Sequence, residues 1–167
     1  DSNFWSYLDA RGGFSTVEEY ENYIAQMRDI PRYFQEQMDN STAGLQRGFS
    51  VPQVTLLGRE VSLKAYTGDD VEANPFWNAF AQMPARIEGA ERARLLAEGR
   101  AAIEEAVIPA YDELYAYLYY VYGTSSRTTL AAEDMPDGKA YYAQQIRQYT
   151  TLDLTADEIH QTGLAEV

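Results

Sequence analysis

Between Gly89 and Tyr122 the side chains Leu96, Ile103, Val107, Ala110, Leu114, Tyr117 and Val121 keep a seven-residue apolar repeat, interleaved with alanine, glutamate, arginine and leucine. A repeat of that length is buried along one side of a helix and cannot be buried by a strand. The spacing therefore predicts one long central helix over about residues 89–122, with Pro109 as a point where it can bend and Gly123 as its stop. A second long pattern begins after two overlapping capping boxes, Ser15 with Glu18 and Thr16 with Glu19. Its stripe runs Val17, Tyr20, Ile24, Met27, Phe34, Met38 and Leu45, with Pro31 in one apolar slot. A proline in a helix interior costs about 3 kcal/mol, so this stretch reads either as one bent helix or as two that meet near Ile30. No window alternates β-branched residues between hairpin turns, and the class follows: all-α, a bundle-like fold with no substantial sheet.

The remaining segments fit around these two. Phe4, Trp5, Tyr7 and Leu8 make residues 1–14 an aromatic lead-in expected to pack. Pro52 fits a first helical position, and Val54, Leu57 and Val61 suggest a shorter second helix that fades by Gly68. Asn74 to Phe80 reads as a packed turn or one short helix. Thr124 to Asp137 reads as loop, and Lys139 to Gln148 as helix. Thr155 with Glu158 forms one more capping box and opens a last helix through Ile159, Gly163, Leu164 and Val167. At 167 residues the expectation is a single helical domain, 1–167. Because the pattern is still amphipathic at Val167, we expect it to be the amino-terminal part of a longer chain.

Composition removes whole classes of function. A net charge of −13 would repel a phosphate backbone, which argues against nucleic acid as a partner. Without cysteine the chain has no disulfides, iron–sulfur sites or cysteine nucleophile, and with one histidine, His160, it cannot by itself build a two-histidine zinc site. No run of eighteen apolar residues is present to span a bilayer.

Four constellations deserve a chemical reading beside a structural one. Asp157-Glu158-Ile159-His160 puts carboxylates and an imidazole one turn apart, a geometry for sharing a metal or a proton. Acidic residues at a helix amino terminus also simply complement its dipole, and His160, one turn from Leu164, fits a partly buried, hydrogen-bonded position. Tyr111, Tyr115, Tyr117, Tyr119, Tyr120 and Tyr122 place six phenols within twelve residues, enough to line a groove for a peptide or sugar. Packing against neighbouring helices is the simpler account of them, and Tyr119 and Tyr120 are not expected to share a face. Gly138-Lys139-Ala140-Tyr141-Tyr142 with Gln148, Tyr149, Thr150 and Thr151 brings hydroxyls, a cation and an amide around a short helix, a set suited to a carboxylate or peptide carbonyl or to an ordinary solvated helix. Glu88 and Arg92 belong to a charged face over residues 88–105 to which no chemistry is assigned. No nucleophile elbow, phosphate loop, calcium loop or His-Glu-x-x-His helix occurs, and spacing alone leads to no activity.

The wording of several segments goes further than their periodicity. Val107-Ile108-Pro109-Ala110-Tyr111, Gly138-Lys139-Ala140-Tyr141-Tyr142 and the run from Tyr149 to Leu164 resemble, in order and spacing, the bacterial domain-of-unknown-function family 885. Tyr33 to Gly48, Asn74-Pro75-Phe76 and Glu91 to Leu95 extend the resemblance over most of the chain. It implies a longer, mostly helical, often exported or lipoprotein parent similar to zinc-dependent peptidases, and hence a periplasmic or membrane-anchored setting. The family's presumed metal motif, a His-Glu pair followed by Pro-Gly-His, is expected downstream of the matched element. No His-Glu pair occurs here, so no zinc ligand or general base transfers to any residue and the chain alone is expected to be inactive. What transfers is position: Tyr141, Tyr142, Thr150, Thr151 and His160 become substrate-cleft candidates, with Gly163 matching the pattern beside them. The expected role is a non-catalytic helical portion, scaffold and cleft wall, of a zinc-peptidase-like protein, whose partners are the rest of that protein, a second copy through exposed apolar surface, or a peptide. The alternative is a free-standing helical module that binds a peptide or protein.

Overall fold

Residues 13–167 are described by a computed structural model, and the aromatic lead-in at Phe4, Trp5, Tyr7 and Leu8 lies outside the described residues. Helix α1 spans Val17–Gln46. Of the two overlapping boxes only the second closes: Thr16 Oγ1 accepts from the Glu19 N–H at 3.3 Å. The Glu19 carboxylate accepts in return from the backbone N–H groups of Ser15 at 2.6 Å and Thr16 at 2.9 Å. These bonds, the one from Ser15 foremost, hold its carboxyl below the usual glutamate range. α1 is one helix through Pro31. Met27, Ile30, Phe34 and Met38 are buried on both sides of the proline, each worth about 1.5–3 kcal/mol, and together they outweigh the lost bond.

The predicted central helix is present and runs 37 residues, from Gly89 to Ser125. It is not uniformly α. Helices α3 (Gly89–Ala102), α4 (Ile108–Ala116) and α5 (Gly123–Ser125) alternate with π-wound segments at Ile103–Val107 and Tyr117–Tyr122. Each wide turn closes with an i to i−5 bond, from the Ile108 N–H to Ile103 O and from the Gly123 N–H to Leu118 O. The first lies immediately before Pro109, where an α-turn would set the proline ring against the carbonyl of Glu105. Gly123 is therefore not the stop expected of it; it closes a π-turn and the helix continues to Ser125.

Between the two long helices lie short turns and helix α2 (Asn78–Ala81). The second helix expected after Pro52 is instead a pair of 3-10 segments, Gln53–Leu56 and Arg59–Tyr66, separated by Gly58 at φ 79°. Val54, Leu57 and Val61 are exposed, and Leu63 and Tyr66 are buried in their place. With three residues per turn, Leu63 and Tyr66 eclipse one another and face the core together, which the 3.6-residue reading misses. Asn74 to Phe80 is the packed turn expected: Pro75–Trp77 is 3-10, leading into α2, with Phe76 and Phe80 fully buried.

The core forms where α1, the long helix and these turns meet. Tyr111 sits at its centre, stacked on Tyr66 at 4.4 Å and edge-on to Phe34 at 5.0 Å. Burial pushes its phenol well above the usual range. From α1, Tyr20 donates to Ala79 O at 2.9 Å and Tyr23 to Phe76 O at 3.3 Å, so each buried ring brings its polar tip to a carbonyl that needs a donor. Asn74, also buried, donates to Tyr66 O and accepts from the Phe76 N–H. Gly99 leaves the room that Phe80 fills; a Cβ there would lie 2.4 Å from the ring. The Glu88–Arg92 pairing gives way to a different role, in which Arg92 reaches the carbonyls of Met83, Pro84 and Ile87 and holds the turn before α3.

Beyond Ser125 come a 3-10 turn at Ala132–Asp134 and helices α6 (Gly138–Thr150) and α7 (Ala156–Glu166). No strand occurs among the described residues.

Candidate functional site

Helix α6 is set in place at its first residue. Gly138 is buried, and a Cβ on it would stand 2.0 Å from Ala132 O, so only glycine lets the helix start this close to the preceding turn. Ile146 is the one other buried residue of α6. The helix then shows one face, Lys139, Tyr142, Ala143, Ile146 and Arg147, to the stretch that leads into α7. Between them is a cavity of about 630 Å³ whose polar lining includes Lys139, Tyr142, Arg147, Asp153, Thr155 and Asp157. Its ion pairs are long: Lys139 Nζ is 3.9 Å from Glu133 and Arg147 3.7 Å from Asp153, leaving both cations open to a further partner.

The five cleft candidates are not gathered there. Tyr142 lines the cavity, half exposed, while Tyr141 is equally exposed away from it. Thr150 and Thr151 end the helix. Thr150 Oγ1 donates to Ile146 O at 2.7 Å and accepts from the Leu152 N–H at 3.1 Å. Thr151 adopts the left-handed conformation at φ 60°, unusual for a β-branched residue, and its hydroxyl donates to Thr150 O at 2.6 Å. Both hydroxyls thus serve the chain's own backbone. His160 is exposed on α7 rather than partly buried, because Leu164 below it is itself 62% exposed and no element among the described residues packs over that face.

Within Asp157-Glu158-Ile159-His160, Glu158 is committed to the capping box. Its carboxylate accepts from the Thr155 N–H and Oγ1, each at 2.8 Å, and the backbone bond chiefly keeps its carboxyl below the usual range. No group of three or more His, Cys, Asp or Glu side chains converges among the described residues. Asp157, with Glu158 already engaged and His160 exposed beside it, does not make a donor set that fits a zinc ion.

The tyrosine run divides by depth. Tyr111 is in the core, Tyr115 and Tyr117 are partly buried, and Tyr119 and Tyr120 are exposed. Tyr115 stacks parallel on Tyr119 at 5.9 Å. Tyr119 and Tyr120, neighbours on the π-wound segment, touch edge to face at 4.9 Å yet line different grooves, Tyr119 the one beside Gln53 and Leu56 and Tyr120 the one beside Met38 and Asp39. Arg147 and Asp153 are cavity residues that the sequence reading passed over; the i, i+3, i+4, i+7, i+8 row that starts at Lys139 carries the signal for the first.

No helix among the described residues is long and apolar enough to cross a membrane. Comparison with known proteins agrees with the helical architecture. The fold is similar to that of "the putative lipoprotein from Colwellia psychrerythraea", a crystal structure matched with a TM-score of 0.76 at 24% identity over 92% of this chain. The chain spans 27% of the length of that protein. No curated protein matches. The family model for bacterial proteins of unknown function DUF885 matches residues 2–167, and the chain belongs to that family.

Proposed function

We propose that this chain is a helical, non-catalytic portion of a zinc-peptidase-like protein of the DUF885 family, where it supplies scaffold and one wall of a substrate cleft. The observation that carries the reading is the surface of α6 and α7: Tyr141, Tyr142, Tyr149, Leu152 and Leu164 are all about half exposed or more, beside a cavity bordered by both signs of charge. Exposed apolar side chains concentrated in this way mark a surface that meets something. The same reading is supported by the sequence resemblance at Gly138–Tyr142 and Tyr149–Leu164, and by the length of the solved relative, of which this chain spans 27%. In this role Lys139 and Arg147 hold a carboxylate or peptide carbonyl and Tyr142 packs along the peptide. The zinc and its general base belong to other parts of such a protein. An exported, lipid-anchored setting fits the name given to the solved relative.

Three measurements test the reading. Calorimetric titration of the chain with zinc is expected to show no stoichiometric site of sub-micromolar affinity, and peptidase assays on it are expected to be blank; either a tight site or turnover overturns it. In the longer protein, Tyr142→Ala with Arg147→Ala is expected to raise KM for peptide without lowering zinc content. Unchanged kinetics would overturn the cleft-wall role of α6.

A further inference from the structure

A second concave surface, sharing no residue with the α6–α7 cavity, lies along the seam between α1 and the long helix. Gln35, Met38, Asp39 and Thr42 form one stripe of α1 at helical spacing, and Glu113, Tyr117 and Tyr120 form the facing stripe. The groove between them is open, about 400 Å³, and has no lysine or arginine in its lining. Its floor is fixed by the Thr42 hydroxyl, 3.0 Å from the Tyr117 hydroxyl. Its rim carries two carboxylates. Asp39 accepts from Gln35 at 2.8 Å, and neither Asp39 nor Glu113 has an ion-pair partner among the described residues. Arg32, three residues before Gln35 on α1, is already held by Asp29 and Glu36. Tyr120 lies 67% exposed on the π-wound segment, a kind of widened turn that recurs at functional sites.

The protein builds the complement of this groove elsewhere from its own residues. Arg100 lies 5.0 Å above the Trp77 ring and donates to Glu72 at 2.6 Å, so a guanidinium is held between an aromatic face and a carboxylate. The groove has the same kinds of group in its lining, an exposed aromatic ring and two carboxylates, and no guanidinium among them. We infer that the groove between α1 and the Tyr117–Tyr122 segment is a docking site for an arginine-bearing peptide segment, its guanidinium seated against Tyr120 and paired with Asp39 and Glu113. The overall charge of −13 attracts such a partner, and the two rim carboxylates give it a place to dock. This site is independent of the α6–α7 cavity and stands or falls separately from the reading above.

The test uses acetyl-Gly-Arg-Arg-Gly-amide as probe and its citrulline counterpart as the uncharged isostere, titrated into the whole chain. The arginine peptide is expected to bind with the citrulline peptide at least about tenfold weaker. Asp39→Asn with Glu113→Gln is expected to weaken it about tenfold, and Tyr120→Leu about threefold, with Tyr120→Phe unchanged. The control neutralises two exposed acids remote in sequence from the groove, Asp69→Asn with Glu166→Gln, and is expected to cost less than about twofold. Equal losses in the two double variants would mean diffuse attraction to an acidic surface and would overturn the proposal, as would equal binding of the citrulline peptide or no binding of the arginine peptide below about 1 mM. All substitutions are at the surface, so unchanged thermal unfolding identifies a folded variant.

Discussion

Residues 13–125 and 126–167 are both helical, yet they are held together by different means. In the first region α1 and the long helix close on a shared aromatic core, and every member of that core lies between Tyr20 and Leu114. In the second, Ser126, Gly138 and Ile146 are the buried residues among those described, and α7 contributes none. Its helices rest on caps and local bonds, Thr155 with Glu158 and Thr150 on Ile146 O, while Arg127 holds the carbonyls of Thr129 and Ala131 and ties the start of the region to Ser50 O in the first. The lesson is that helical content and cooperative stability are separable here. Burial fixes one region, while the other keeps its shape with its apolar surface still available for a partner.

The contrast is open to attack from both sides. The largest expected effect is in the core: Tyr111→Ala should destabilise by about 3–5 kcal/mol, read as a shifted urea midpoint, whereas Tyr149→Ala should stay within about 0.5 kcal/mol. Comparable losses for the two would abolish the distinction. Gly99→Ala comes next, since its methyl meets the Phe80 ring, and should cost about 1–3 kcal/mol through overpacking. Gly138→Ala, in even tighter quarters, should by contrast release α6 locally; amide exchange over residues 138–150 should quicken while protection in α1 is kept. The finest effect concerns acid. Glu19 and Glu158 are both held below the ordinary glutamate value in the folded chain, so their capping stabilises fully above that value and is lost as pH falls through the lower folded one. On acidification from pH 5, helix signal at Thr155–Glu166 should fade first, because α7 has no buried face to hold it, while α1 keeps its turns beyond Glu19. Simultaneous loss in both helices would show that packing matters less than the burial pattern indicates.

Legibility in the sequence follows the range of the interaction. Thr16 with Glu19 and Thr155 with Glu158 are readable because their chemistry is complete within four residues, and the long helix is readable because its repeat needs only one face. The π-turns are not, since the apolar spacing from Leu96 to Tyr117 does not mark which turn takes up a surplus residue. Val54, Leu57 and Val61 mislead because an apolar stripe says nothing about how many residues make a turn. Of the candidate site, Tyr142 and Lys139 could be picked out, but the commitment of Thr150 and Thr151 to their own backbone shows only in the folded chain. The groove at Asp39 and Glu113 joins residues from two different helices and has no local signature at all.

The two widened turns also set the long helix apart as a mechanical part. Each holds a surplus residue relative to an α-helix, and one residue is about 100° of rotation about the axis. Tightening the Tyr117–Tyr122 segment to α geometry with all its residues kept would therefore swing everything after it by roughly a quarter turn, whereas deleting the surplus residue would let the turn tighten and leave Gly123 and the chain beyond it aimed as before.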